Sequence, residues 1–208
     1  MFKDRKDAAL RLAGLLEKYK EDSDAMVFAI PRGGVVIGRV IADCLKVPLD
    51  IIVARKIRAP FNEELAIGAV DPAGNPIVND EAVRMLRIGE EYLEKEIRKK
   101  TEEVRARLKK YRGNNRYPSL SGKKAILVDD GIATGYTVKA AIAFLKGLEA
   151  EKIILAAPVI APDTLAEIKL QADEVFYMLS KEPFYAVGQF YNEFPQVADD
   201  EVIMLLHP

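Results

Sequence analysis

An apolar run that ends in two adjacent carboxylates, Ile126-Leu127-Val128-Asp129-Asp130, and then breaks into Gly131-Ile132-Ala133-Thr134-Gly135-Tyr136-Thr137, leaves this chain few ways to fold. A run of that kind reads as a strand buried on both faces of a parallel sheet. The alanine-rich pattern from about Val138 onward reads as a helix. Strand, tight turn and helix in that order put the turn at the C-terminal edge of an open α/β sheet, where such sheets bind ligands. Backbone amides at a helix N-terminus make an anion site. Gly131 and Gly135 permit tight conformations, and the Thr134 and Thr137 hydroxyls add donors. The two carboxylates cannot share a phosphate with that loop, because like charges repel. They suit hydroxyls, or a metal that carries hydroxyls. A diol beside a phosphomonoester is a ribose 5-phosphate. A plain strand-to-helix turn capped by Asp accounts for one carboxylate, not for two followed by this loop.

The rest of the chain repeats the same grammar. Residues 2–20 read as an amphipathic helix, 25–30 as a strand ended by Pro31-Arg32-Gly33-Gly34, 35–45 as a helix and 49–54 as a strand. Residues 55–64 read as a polar loop, basic and then acidic. Leu65–Val70 and Ile77-Val78 read as a hairpin, 80–112 as helical, and 113–122 as a loop. Strands at 124–129, 152–159 and 174–179 then alternate with helices at 135–147 and 162–171. This alternation predicts an α/β fold: a doubly wound, mainly parallel sheet flanked by helices. The expected organisation is one domain over 1–208, with a core of about 21–180, a helical insertion at about 80–117 and a C-terminal aromatic segment at about 181–208.

Composition narrows the chemistry. Lys and Arg number 31 against 32 Asp and Glu, a net charge of −1, so no basic excess points to nucleic acid. No apolar run approaches membrane-spanning length and no signal-peptide core follows the start, so the expected compartment is the cytoplasm. Cys44 is the only cysteine and His207, next to last, the only histidine. Histidine-dependent nucleophiles and zinc clusters are thereby disfavoured, and carboxylates, Lys, Arg and backbone amides are left. On the helix at 90–111 the pairs Glu91/Lys95, Glu94/Arg98, Glu96/Lys100 and Glu103/Arg107 describe a solvated face with balanced charge.

Three further segments carry chemistry. Arg32-Gly33-Gly34 stands in the same strand–turn–helix setting as the acidic motif, and its guanidinium suits bidentate phosphate binding. The cations of 55–64 either complete a polyanion cage or pair with the acidic residues of their own loop. Residues 184–194 hold five aromatics, Phe184, Tyr185, Phe190, Tyr191 and Phe194. They form either a platform for a planar base or an apolar cluster.

The segment 126–137 resembles the phosphoribosyl pyrophosphate signature of the type I phosphoribosyltransferases, and the order of elements from about 25 to 180 fits that family's core. The resemblance implies that Asp129 and Asp130 hold the ribose hydroxyls and that Ala133, Thr134, Gly135, Tyr136 and Thr137 wrap the 5′-phosphate. Gly131 stands where many members carry an aliphatic residue, which predicts a less packed loop entry. By the same resemblance Arg32, Gly33 and Gly34 form the pyrophosphate loop. Lys56 arrives on a mobile loop that closes over the substrate, and Tyr185, or Phe184, stacks on the base under a small hood. The implied reaction transfers 5-phosphoribosyl from phosphoribosyl pyrophosphate (PRPP) to a nucleobase-like nitrogen, with Mg²⁺ held mainly by substrate and nearest to Asp129 and Asp130. Lys56, Asp129 and Asp130 are the expected catalytic residues. The expected partners are PRPP and an acceptor base, with no nucleic acid, no membrane and a homodimeric assembly. Two other readings stay open: a non-catalytic regulatory protein that binds PRPP or a nucleotide, and a hydrolase of phosphorylated sugars.

Overall fold

Along the central strands successive side chains go to opposite faces, and both faces are apolar. The computed structural model describes residues 1–207 and all their side chains except those of Glu63 and Glu64. Pro208, which ends the aromatic segment, and the acidic end of the 55–64 loop thus lie outside the described side chains. In chain order the elements are α1 (Arg5–Leu15), β1 (Ala25–Ala29), α2 (Gly33–Leu45), β2 (Leu49–Ile51), β3 (Arg55–Ala59), β4 (Asn62–Val70), β5 (Pro76–Val78), α3 (Asp80–Met85) and α4 (Glu90–Arg112). They continue with β6 (Lys124–Val128), α5 (Tyr136–Gly147), β7 (Lys152–Val159), α6 (Pro162–Ile168), β8 (Glu174–Leu179) and α7 (Asp199–Leu206).

Five strands form one parallel sheet in the order β2-β1-β6-β7-β8. Val27, Ala29, Ile126, Val128, Ile154 and Ala156 turn to the face covered by α1, α2 and α7. Phe28, Ala125, Leu127, Ile153, Leu155 and Ala157 turn to the face covered by α5 and α6. Each such Ile or Leu contributes about 1.5–3 kcal/mol by leaving water, which is why the strands read as continuous apolar runs. The order reverses between β1 and β6, so the chain leaves these neighbours toward opposite sides and opens a crevice at their C-terminal ends. A separate antiparallel sheet, β3-β4-β5, packs beside it. Among the described residues no helix is long and apolar enough to cross a membrane.

Four expectations change. Residues 55–59 are strand β3, paired to β4, and not a loop. Ile57 and Ala59 bury against Ile67, Val70 and Ile88, while Lys56 and Arg58 take the other face. The charges masked a period-two pattern. The helix at 80–112 is two helices. Asn79 caps α3 by accepting the Ala82 amide at 2.9 Å, Arg87 turns left-handed at φ 51°, and Ile88 drops into the small core. The strand at 49–54 ends at Ile51, with Ile52, Val53 and Ala54 buried beyond it. Finally, a helix forms at 199–206 whose first turn is acidic, a start signal that the aromatic cluster before it obscured.

Candidate functional site

Register puts the two glycine-containing loops side by side. Ala29 pairs with Val128, and the Ile30 amide donates to the Val128 carbonyl at 3.0 Å, so Pro31-Arg32 and Asp129-Asp130 leave the sheet at the same level. The Pro31–Arg32 peptide is cis. Between these loops lies a cavity of about 380 Å³. Lys56, Asp129, Asp130, Arg32, Gly33, Gly131, Ala133, Thr134, Gly135 and Thr137 all line it, together with Arg55, Arg58, Lys100 and Val187. Gly34, Tyr136 and Tyr185 do not. A Cβ at Gly34 would press on the Asp129 carboxylate and the Val128 carbonyl, so that glycine seats α2 against the end of β6. Tyr136 packs among Ala54, Ala69, Ile77 and Ala140 and accepts a hydrogen bond from Asn79 Nδ2 at 3.0 Å, which ties α5 to the small sheet.

The acidic pair is crowded. Asp129 Oδ1 accepts the Asp130 amide at 2.8 Å. Burial, followed by the charge of Asp130, pushes the Asp129 carboxyl well above the usual Asp range. Burial also raises Asp130, but the Arg5 guanidinium pulls it back. Asp129 is therefore the member that keeps its proton longer. Lys56 from β3 is the cation whose field favours ionised Asp129. A Cβ at Gly33 would overlap Asp130 Oδ2, so the glycines at the start of α2 make room for carboxylates as well as presenting amides.

The loop after β6 is braced from α6. The Thr164 hydroxyl donates to the Ala133 carbonyl, and Gly135, at φ 70°, leaves no space between itself and Thr164 for a Cβ. The loop entry is tightly packed, contrary to expectation: a Cβ at Gly131 would overlap Val187 and Val159. Gly131 is the floor on which the C-terminal segment rests.

Arg32 is not idle in this structure. Its guanidinium lies 3.6 Å from Asp199, at the start of α7. Asp199 also accepts from Lys110 Nζ at 2.7 Å and from the Tyr111 hydroxyl at 2.7 Å, and these bonds, Lys110 first, hold its carboxyl down at about 2. The aromatic segment is mostly packing. Phe190 and Tyr191 are buried, the Phe184 and Phe190 rings meet tilted at 5.0 Å, and those of Tyr191 and Phe194 at 4.9 Å. Only Tyr185 stands in solvent, 85% exposed and outside the cavity lining.

Sequence reasoning misses Arg5, Lys100 and Val187. The i,i+4 pattern places Lys100 on a solvated helix face. It is 8% exposed, held between Glu96 (3.4 Å) and Glu103 (2.8 Å), and Glu103 also binds Arg55. Its own sequence neighbours are no different from those of an exposed lysine, so no local signal marks it.

The family model for the phosphoribosyl transferase domain matches residues 1–191. Two curated proteins from Mycobacterium tuberculosis strains, provisionally named phosphoribosyl transferases, are each 39% identical over 207 residues, covering 99% of this chain and 46% of their own length. The chain thus spans about half the length of the curated relatives it matches. The crystal structure of the protein TT1426 from Thermus thermophilus is 33% identical, with a TM-score of 0.80 over 99% of this chain and 97% of that one. A purine phosphoribosyltransferase from Pyrococcus horikoshii shares the fold at 20% identity, with a TM-score of 0.50 over 92% of this chain and 90% of its own.

Proposed function

Because this chain belongs to the phosphoribosyl transferase domain family, we propose that it transfers the 5-phosphoribosyl group from PRPP to a nitrogen acceptor and releases pyrophosphate. The observation that carries this reading is the convergence of two loops on one cavity: an acidic pair with a glycine–threonine turn from β6, and Arg32-Gly33 from β1. In this reading Thr134, Thr137 and the amides of 133–137 hold the 5′-phosphate at the start of α5. Asp129 and Asp130 accept the ribose hydroxyls. As the bond from C1 to the pyrophosphate oxygen breaks, positive charge grows at C1 and the acidic pair beside it steadies that charge. Arg32 and Lys56 receive the charge that moves onto the leaving pyrophosphate. The acceptor nitrogen forms the new bond to C1 and loses its proton to solvent.

The donor set also fits Mg²⁺. Among the described residues no three Asp, Glu, His or Cys side chains form a metal cage. Two carboxylates beside a polyphosphate suit a cation that keeps waters and takes most of its ligands from substrate. When bound, Mg²⁺ would neutralise pyrophosphate oxygens. Asp129 and Asp130 are the side chains nearest to hold it.

The test is pyrophosphate release from PRPP and Mg²⁺ with a panel of nucleobases, run beside thermal shifts for PRPP, ribose 5-phosphate and pyrophosphate. Turnover with one base class establishes the transferase. Stabilisation by PRPP without turnover on any base would instead support a regulatory binder, and phosphate release without acceptor a hydrolase.

A further inference from the structure

Arg5 belongs to a helix that the sequence assigns to packing alone, yet it is 8% exposed and its guanidinium meets three partners. Nε donates to Asp130 Oδ2 at 2.7 Å, Nη1 donates to the Pro195 carbonyl at 2.7 Å, and the guanidinium carbon lies 3.7 Å from the centre of the Phe194 ring. Arg5 does not line the candidate cavity, whereas Asp130 does. Instead Arg5 borders a smaller hollow between α1 and the C-terminal segment. It therefore grips the Asp130 carboxylate from behind and leaves the cavity side open.

The same region is stitched through the backbone. The Phe2 amide donates to the Phe190 carbonyl at 2.8 Å, and the Asn192 and Glu193 amides donate to the Phe2 and Lys3 carbonyls at 2.8 and 2.9 Å. The Tyr191 hydroxyl donates to the Asp130 carbonyl at 2.6 Å. Asp130 is thus fixed at its main chain by Tyr191 and at its side chain by Arg5, and both fixings depend on the joined chain ends.

We infer that Arg5 is a positioning residue of the ribose site: it orients the Asp130 carboxylate toward a ribose hydroxyl and ties that orientation to the C-terminal segment packed beside the acidic pair. The inference rests on the reading of Asp130 as a ribose ligand. An arginine is required because its planar fork sends donors in two directions while its face stacks on Phe194. A lysine can reach Asp130 or Pro195, not both.

The experiment uses the full chain and two probes, ribose 5-phosphate and inorganic phosphate, with affinities by calorimetry and Tm measured alongside. Arg5→Met keeps the apolar stem and removes the donors. It should lose about tenfold or more in ribose 5-phosphate affinity, the usual effect of deleting a charge-assisted bond, while inorganic phosphate binds within about twofold of the parent. Arg5→Lys, which keeps the charge if Arg5→Met folds poorly, should fall between Met and parent in the same ratio. Added to Asp130→Asn, Arg5→Met should cost little more. Equal losses for both probes would make Arg5 a purely structural tie, and an unchanged ratio in both variants would remove its role. A parent that binds ribose 5-phosphate no better than phosphate would overturn the ribose reading itself, and this inference with it.

Discussion

Asp129 has little room for its charge. Burial and the neighbouring Asp130 favour its protonated form in the folded chain, whereas in the unfolded chain it ionises in the ordinary range near 3.9. A raised folded-state pKa contributes stability that is complete below the unfolded value and is lost as pH rises through the folded one. Asn mimics the protonated acid and cannot ionise. The Tm difference between Asp129→Asn and the parent should therefore be small near pH 4 and grow in favour of the variant toward pH 8, while ribose 5-phosphate affinity falls. A difference that stays flat with pH would mean that Asp129 ionises freely. The motif itself is legible, because two carboxylates at a strand end have few structural uses. Arg5 is not legible: it is 125 residues away from Asp130 in sequence, and nothing in its neighbourhood distinguishes it from the exposed cations of α1.

At the scale of elements the β3–β4 hairpin and the Gly131–Val187 contact decide most. In this structure Lys56 lies on a strand and lines the cavity. Lys56→Ala should leave PRPP affinity near the parent's and lower kcat roughly a hundredfold if Lys56 meets charge that develops only as the bond breaks. Equal rates in steady-state assays would return Lys56 to a solvated role. Gly131→Ala drives a methyl into Val187 and Val159, an overpacking that costs about 1–3 kcal/mol. Adding Val187→Ala should recover part of the lost Tm, since it removes the atoms that the new methyl meets. No recovery would mean that Val159, under the segment, sets the limit. The sheet strands and the α2 and α5 helices are readable from periodicity. The hairpin is not, because Lys56 and Arg58 alternate with Ile57 and Ala59 in a segment whose charge suggests a loop.

In the whole molecule α7 acts as a latch from the far end of the chain. Asp199 joins Lys110 and Tyr111 of α4 to Arg32 of the loop after β1, with about a third of its side chain exposed. A pair exposed to that degree contributes about 1 kcal/mol, or roughly 2–4 °C in a chain of this size. Asp199→Ala should lower Tm by about that much at neutral pH. The deficit should shrink as pH falls from the ordinary Asp range toward about 2, where the parent also loses the charge. Freed from Asp199, Arg32 should bind pyrophosphate more tightly by calorimetry; weaker binding would make Asp199 a support for Arg32 and not a competitor. The sequence alone determined the α/β class, the parallel sheet and the acidic and glycine-rich loops, because those are properties of adjacent residues: period, turn chemistry and charge. Only the tertiary structure decided which residues meet. Lys100 and Val187 reach the cavity from α4 and the C-terminal segment and Arg5 reaches Asp130 from α1, all by long-range packing, Tyr136 turns away from the cavity, and four of five aromatics pack on one another instead of facing it. Such contacts depend on how elements stack on both faces of the sheet, and local pattern carries no record of that.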